Sequence, residues 1–170
     1  MAEVDLSRVP EFYHGYIKKA ATALLSEAFR EHQTQFVSFL REIPEERWDY
    51  QYAPGKWSIK ELVQHVIDAE RIFGYRALCF ARKDKTPLPG FEENDYVAAS
   101  NAGERTKEDL IQELSTVQRS TAQLFASFGP QQLEQEGVAN GRAIYVKAIG
   151  YIIVGHVLHH QQILRERYLS

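Results

Sequence analysis

Cysteine is almost absent from this sequence: it occurs once in 170 residues, as Cys79. A single cysteine excludes a disulfide within the chain and a zinc site built from cysteines, and it suits a reducing compartment. The first ten residues carry Glu3 and Asp5 and have neither a basic start nor an apolar centre, so they lack the pattern of a secretory signal peptide. The sequence therefore predicts a cytoplasmic protein.

Long apolar runs and an excess of basic residues are also missing. The longest uncharged stretch, residues 148–164, includes three histidines and two glutamines, and it is shorter than the roughly 20 apolar residues of a membrane-spanning helix. Twenty basic and 23 acidic residues are interspersed, which gives a net charge of -3 and no basic stripe. We therefore expect no membrane span and no nucleic acid partner.

Alternating strand patterns extend over no more than three or four residues, whereas helical periodicity is widespread. The length of 170 residues and the apolar content of 44% fit one domain, residues 1–170, with a sizeable core. Four amphipathic helices are predicted, at residues 22–43, 59–82, 107–128 and 146–169. Two connections are long enough to cross a bundle. We therefore predict an all-α four-helix bundle that need not be simple up-and-down.

The segments outside these helices carry weaker signals. Residues 10–19 have no clean periodicity, and we interpret them as an arm on the surface of the domain. Residues 91–99 fit a short helix, and the polar residues 131–142 read as a connection. The arm contains three aromatic residues, Phe12, Tyr13 and Tyr16.

The start of the second helix is clearly marked. Ser58 and Glu61 form the S-x-x-E pattern of a capping box, in which each side chain bonds the other residue's backbone N–H. Trp57, before the cap, is placed to pack on Leu62 as a hydrophobic staple. The helix is therefore predicted to begin at Ile59.

Three histidines are predicted to face the interior of the bundle. His156 and His160 are four residues apart, so they lie one above the other on one face of the last helix. His65 shares a mostly apolar stripe of the second helix. The stripe that carries the first pair continues through Ile149, Ile152, Ile153, Ile163 and Leu164.

An unpartnered imidazole in a core is costly, so these positions need an explanation. One explanation is core histidines that bond backbone carbonyls or a tyrosine; the other is a metal site formed by His65, His156 and His160. His159 is also roughly inward, which leaves open a pair of His156 with His159. We expect His159 to lie beside the ligands or on the surface.

Carboxylates near His65 are candidates to orient a ligand through its second ring nitrogen. Asp68 follows His65 by one turn and Glu61 precedes it by one turn. The alternative for both is an ordinary solvated or capping carboxylate, which is favoured for Glu61.

Three neutral imidazoles would leave a divalent ion with its full charge and an open position. Such an ion lowers the pKa of a bound water to about 7 and deprotonates a bound thiol. A zincin needs glutamate directly after the first histidine, where this chain has Val157. A di-iron bundle needs Glu-x-x-His pairs, and Ile153 and Val157 occupy the positions three before His156 and His160. No residue of the motif is identified as a catalytic base.

Arg76 is predicted to lie within about 20° of His65 on the second helix. A guanidinium on a mostly apolar stripe needs an anion. Arg76 is therefore a candidate for binding a cofactor or substrate, such as a thiol that carries carboxylates. The alternative is a salt bridge to a carboxylate on a neighbouring helix.

Residues 55–95, with the W-S-x-x-E-x-x-x-H pattern, and the segment GHVLHHQQILRERYL resemble the DinB/YfiT-like superfamily of small bacterial proteins. This damage-inducible family is unrelated to the DNA polymerase of similar name. The resemblance implies an up-down-down-up four-helix bundle, frequent homodimers, and a divalent metal held by His65, His156 and His160. Characterised relatives include enzymes that use bacillithiol or mycothiol, and a maleylpyruvate isomerase.

These observations favour a metal-dependent enzyme with a small-molecule substrate. The leading hypothesis is a low-molecular-weight-thiol S-transferase or a related detoxifying activity. The alternatives are a metal-dependent hydrolase and a non-catalytic metal-containing protein that binds a ligand or answers stress. An open coordination position supports an enzyme, whereas a fourth protein ligand such as His159 supports a structural site. Imidazole and water suit zinc, nickel, iron and copper alike, and zinc or nickel is expected.

The sequence predicts a homodimer, because it has more apolar and aromatic residues than the buried faces of four helices require. The excess is clearest in the region of Tyr75, Phe80 and Phe91. A dimer interface would bury this surplus. The resemblance points the same way.

Overall fold

The computed structural model describes residues 4–170, apart from the side chain of Gln33. Seven α-helices and one β-hairpin occur in this part of the chain. A π-helical turn, Leu164–Tyr168, follows the last helix, and short 3₁₀ turns occur at Leu6–Arg8, Glu11–Tyr13, Glu45–Arg47 and Ala102–Glu104. The helices are α1 His14–Ala20, α2 Leu25–Glu42, α3 Ile59–Ala81, α4 Glu93–Ala98, α5 Lys107–Ala126, α6 Pro130–Leu133 and α7 Val146–Ile163, and the strands are β1 Glu136–Ala139 and β2 Arg142–Tyr145.

The four long helices, α2, α3, α5 and α7, form the predicted bundle. Helix α2 packs against α5 and α7, and α3 packs against the same two helices. Helices α2 and α7 are parallel: the hydroxyl of Tyr151, early in α7, donates to the carbonyl of Ala23 just before α2, and near the other end Arg165 lies over the ring of Phe39.

Helix α3 runs the opposite way to α7, because the Tyr168 hydroxyl donates to the carbonyl of Trp57 at the start of α3. Helix α5 begins at that same end, where Arg105 donates to Gln64 of α3. The α5 start also meets the end of α2, where Lys107 donates to the Ile43 carbonyl. The bundle is therefore up-down-down-up, and the connection from α3 to α5 crosses its length.

The predicted helices are confirmed, and their ends lie within three residues of the prediction except at the end of α7, which was predicted to reach residue 169 and continues past Ile163 as the π-helical turn. At the start of α3 the capping box forms as predicted: the Ser58 hydroxyl accepts from the Glu61 N–H at 3.2 Å, and the Glu61 carboxylate accepts from the Ser58 N–H at 2.7 Å. Two donors that a helix start leaves unpaired are thereby satisfied.

The hairpin was not predicted. Residues 136–139 pair antiparallel with residues 142–145, and the turn between them is Asn140–Gly141 with φ of 50° and 70°. Asn-Gly with two positive φ values is the signature of a tight hairpin turn. The connection from α3 to α5 joins the hairpin through Leu88, which donates to the Val138 carbonyl and accepts from the Asn140 N–H.

The interpretation of residues 10–19 as a surface arm is wrong. Residues 14–20 form helix α1, which packs along α7 and buries Ile17 and Ala20. These two side chains belong to the apolar interior. The segment is therefore part of the packed structure.

The interior contains two apolar clusters. Along α7 the first cluster ends at Val154 and the second begins at Val157, with His156 between them. Helix α3 passes from one cluster to the other between Ile67 and Ala69. His156 therefore lies where the two apolar clusters meet, and His65 and His160 lie among residues of the second cluster.

The surface supports only part of the reasoning given for a dimer. Tyr75 is 59% exposed, but Phe80 is fully buried, where its ring packs against Gly137 of the hairpin. Phe80 therefore adds nothing to exposed apolar area. Among the described residues, no helix is long and apolar enough to cross a membrane.

Candidate metal centre

Helices α3 and α7 bring His65, His156 and His160 together. The Nε2 atom of His156 lies 3.0 Å from the Nε2 atoms of both His65 and His160. All three side chains are buried, and their candidate ligand atoms lie within 4.8 Å of one another. The sequence prediction that these three share one place in the bundle agrees with this geometry.

Burial favours the neutral form of all three rings. It lowers the pKa of His65 to about 4 and the pKa values of His156 and His160 well below the ordinary histidine value. A neutral imidazole nitrogen either donates or accepts, so the Nε2 of His156 cannot form good hydrogen bonds with both neighbours. Three neutral ring nitrogens this close together instead fit a divalent cation, for which zinc–nitrogen distances are about 2.0–2.1 Å.

His159 lies beside this group without joining it. Its ring centroid is 5.2 Å from that of His160 and 5.3 Å from that of Tyr16, and the side chain is half-buried. Within residues 4–170 the candidate ligand group consists of His65, His156 and His160 alone. A divalent ion held by these three side chains alone would have at least one open coordination position.

The histidines line a cavity of about 730 Å³, within the usual size range of small-molecule sites. Helix α1, α3, α7, the hairpin and residues 90–93 contribute to its wall. Much of the lining is aromatic: Phe12, Tyr13, Tyr16, Trp57, Phe73 and Phe91.

Two aromatic neighbours of the histidines were not predicted as site residues. The ring of Tyr16 meets that of His156 edge-on, with centroids 5.6 Å apart, and Trp57 lies 4.8 Å from the ring of His65. Gly155 was the available signal for Tyr16, since a glycine inside a helix costs stability and suggests a packing reason. A Cβ atom at Gly155 would overlap the Tyr16 carbonyl oxygen.

Arg76 lines the same cavity as the histidines and is only 4% exposed. Its Nη2 donates to the carbonyl of Pro89 at 2.8 Å, and its guanidinium carbon lies 5.5 Å from the ring centroid of Phe73. None of the ion pairs within residues 4–170 involves Arg76. The salt bridge left open by the sequence is therefore not observed in this part of the chain.

The two carboxylates considered for orienting a histidine have other partners. Glu61 belongs to the capping box. Asp68 accepts from Gln64 and lies 3.9 Å from Arg71, which also pairs with Glu113 of α5. Asp68 therefore contacts other side chains of α3, among them Arg71, which joins α3 to α5. The second ring nitrogen of His160 is buried and has no hydrogen-bond partner among the described residues.

The profile of the DinB superfamily matches residues 28–164, which include all three histidines. The chain belongs to this superfamily. Its capping box and histidine spacing had suggested the same family from the sequence. No protein in a search of curated sequences matches significantly.

Two solved structures share the fold of this DinB protein. YfiT from Bacillus subtilis, described as a probable metal-dependent hydrolase with an unusual four-helix bundle topology, aligns with a TM-score of 0.72 and 14% identity over 97% of this chain and 90% of YfiT. A mycothiol-dependent maleylpyruvate isomerase aligns with a TM-score of 0.69 and 12% identity over 94% of this chain. This chain spans 62% of the isomerase's length.

Proposed function

We propose that this DinB protein is a metal-dependent enzyme that activates a low-molecular-weight thiol for transfer to an electrophilic small molecule. The observation that carries the proposal is the convergence of three buried, neutral imidazoles on the wall of a cavity of about 730 Å³. When bound, a divalent ion supplies Lewis acidity, which lowers the pKa of a thiol or water molecule that reaches it.

Three features of the chain's own residues favour metal binding at the three histidines. Burial keeps His65, His156 and His160 neutral, so that protons do not compete strongly for their lone pairs near neutral pH. Packing against Trp57 and Tyr16 limits rotation of His65 and His156. Aromatic rings form much of the cavity wall around the three histidines.

The S-transfer proposal fits a site whose motif contains no general base. The thiol loses its proton to solvent water on activation, its sulfur forms a bond to an electrophilic carbon, and the leaving group departs with the electron pair of the bond that breaks. The cavity is large enough for both reactants by the usual size of small-molecule sites. The mycothiol dependence of the structurally similar isomerase also supports an activity that uses a thiol.

Hydrolysis is the second candidate, favoured by His159 and Tyr16. Both line the cavity beside the three histidines, where they are placed to bind or orient a water molecule. The structural similarity to YfiT supports this candidate.

The two reactions can be separated with protein loaded with zinc or nickel. Conjugation of monobromobimane is measured with glutathione, cysteine, bacillithiol and mycothiol, and hydrolysis of nitrophenyl acetate is measured without thiol. We expect saturable conjugation with one thiol, lost on chelation and restored by metal. Hydrolysis without any thiol dependence would favour the second candidate. A protein that binds metal but shows neither reaction would contradict both and support a binding role.

A further inference from the structure

We propose that Arg76 and Tyr13 form an anion subsite in this cavity, and that it selects a small molecule with one carboxylate. This inference rests on the proposed function, because the molecule bound there would extend toward the three histidines. It assigns a substrate class to the cavity: a monocarboxylate with an apolar body and a metal-binding head.

Arg76 is a buried charge without a counter-charge in the described chain. A guanidinium has five N–H donors, and the hydrogen-bond partners of Arg76, the carbonyl of Pro89 and the hydroxyl of Tyr13, are both neutral groups. A buried ion is costly unless it is paired and hydrogen-bonded. Because the side chain lines the cavity, a ligand carboxylate can supply the missing charge and accept two parallel hydrogen bonds.

Tyr13 supplies a second donor beside Arg76. Its ring packs edge-on against Phe73, with centroids 5.9 Å apart, and both side chains line the cavity. Burial raises the pKa of Tyr13, and the adjacent Arg76 opposes that rise. The hydroxyl is therefore neutral at physiological pH and next to the guanidinium, so it can donate to the same carboxylate.

The size of the ligand follows from the helix that carries both ends of the site. Arg76 follows His65 by eleven residues on α3, so their Cα atoms are separated by about 16 Å along the axis at 1.5 Å per residue. Between the two ends the wall includes Ala69 and Phe73, which favour an apolar linker. A carboxylate on such a linker can be held while its other end reaches the histidines.

The charges at the cavity surface favour a single negative charge on the ligand. Glu11, Glu92 and Glu93 line the cavity and are exposed, whereas the buried cation is Arg76. Exposed carboxylates repel a polyanion more strongly than a monoanion. Arg142 also lines the cavity and is exposed, so these exposed side chains carry three negative charges and one positive charge.

The test compares mercaptocarboxylates with mercaptoalcohols of the same chain length. Mercaptoacetate, mercaptohexanoate and mercaptoundecanoate, and their alcohol counterparts, are titrated into metal-loaded protein by calorimetry. We expect the carboxylate to bind at least tenfold more tightly than the alcohol at one of the longer lengths. Arg76→Met should reduce this preference to less than twofold with unchanged metal content, and Tyr13→Phe should reduce it about threefold.

Arg142→Met is the matched control and should keep the full preference. Hexanoate and hexanol, titrated into metal-free protein, test the subsite independently of the metal. If Arg76→Met keeps the full preference for the carboxylate, or if Arg142→Met loses it, the proposed subsite is wrong. If Arg76→Met does not fold, Arg76→Lys and Tyr13→Phe decide, and full preference in both would overturn the proposal. A protein that binds no metal but prefers hexanoate through Arg76 would keep the subsite and reject the proposed function.

Discussion

The backbone of Tyr16 lies against Gly155, so closely that a Cβ atom at Gly155 would overlap the Tyr16 carbonyl oxygen. Gly155 directly precedes His156, and the ring of Tyr16 meets the ring of His156. Because Gly155 of α7 has no side chain, α1 can lie this close to the candidate metal centre. The contact joins the packing of the N-terminal helix to the geometry of the cavity.

Gly155→Ala should therefore move α1 away from α7. Because the obstacle is backbone, the strain cannot be relieved by one side-chain rotation, and we expect a loss of about 1–3 kcal/mol in the free energy of unfolding. Urea unfolding measures it. Gly15→Ala is the matched control: a Cβ there has no neighbour within 4 Å, so improved helix propensity should leave stability unchanged or slightly higher. Equal effects of the two substitutions would contradict the close approach.

The second prediction concerns metal content. His65→Ala, His156→Ala and His160→Ala should each reduce a stoichiometry of one divalent ion per chain, because each removes a nitrogen from the converging group. His159→Ala should retain the ion, since its ring lies beside the group. Elemental mass spectrometry of folded variants measures this. Loss of metal in His159→Ala with retention in His160→Ala would reassign the pair on α7.

The sequence predicted features set by short-range chemistry. The four long helices follow from periodicity and from the capping box of Ser58 and Glu61. The three histidines follow from the same periodicity, because residues four apart share a helix face whatever surrounds the helix. These relationships depend on local geometry, which is why they could be read without knowing how the helices pack.

The missed features depend on contacts between distant segments. Tyr16 belongs to a short segment whose position is fixed by Gly155, nearly 140 residues later. The hairpin had a readable signal in Asn140 and Gly141, but its strands are only four residues long. The cavity forms where these segments meet, so its wall could not be deduced from any one of them.

The third prediction is a homodimer of 39.2 kDa, twice the 19.6 kDa of one chain. Tyr75 and Tyr96 are 59% and 48% exposed, and burial of such rings would contribute to an interface. Sedimentation at micromolar concentration should show the dimer, and Tyr75→Lys should shift the protein toward the monomer. Thr116→Lys, on an exposed position of α5, is the control. A monomer for the unsubstituted protein would reject the prediction.

The fourth prediction concerns Glu70, a buried carboxyl of α3 that does not line the cavity. Both of its oxygens lack a hydrogen bond of good geometry within the described residues, although Thr121 lies nearby and partly favours the charged form. Burial raises the pKa of Glu70 from 4.5 to about 7. Between these values the folded protein retains a proton that the unfolded chain releases, so a rise in pH favours unfolding.

Glu70→Gln removes this titration. The free energy of unfolding of the variant minus that of the unsubstituted protein should therefore increase by about 3 kcal/mol from pH 4.5 to pH 8. The comparison is made by urea unfolding of both proteins in the same metal state, so that titration of the buried histidines, which acts in the opposite sense, cancels in the difference. Glu45→Gln, an exposed carboxylate removed in the same way, controls for the change in net charge. A difference that stays constant over this range for Glu70→Gln would show that Glu70 is ionised in the folded protein, and that a cation or donor reaches its carboxylate.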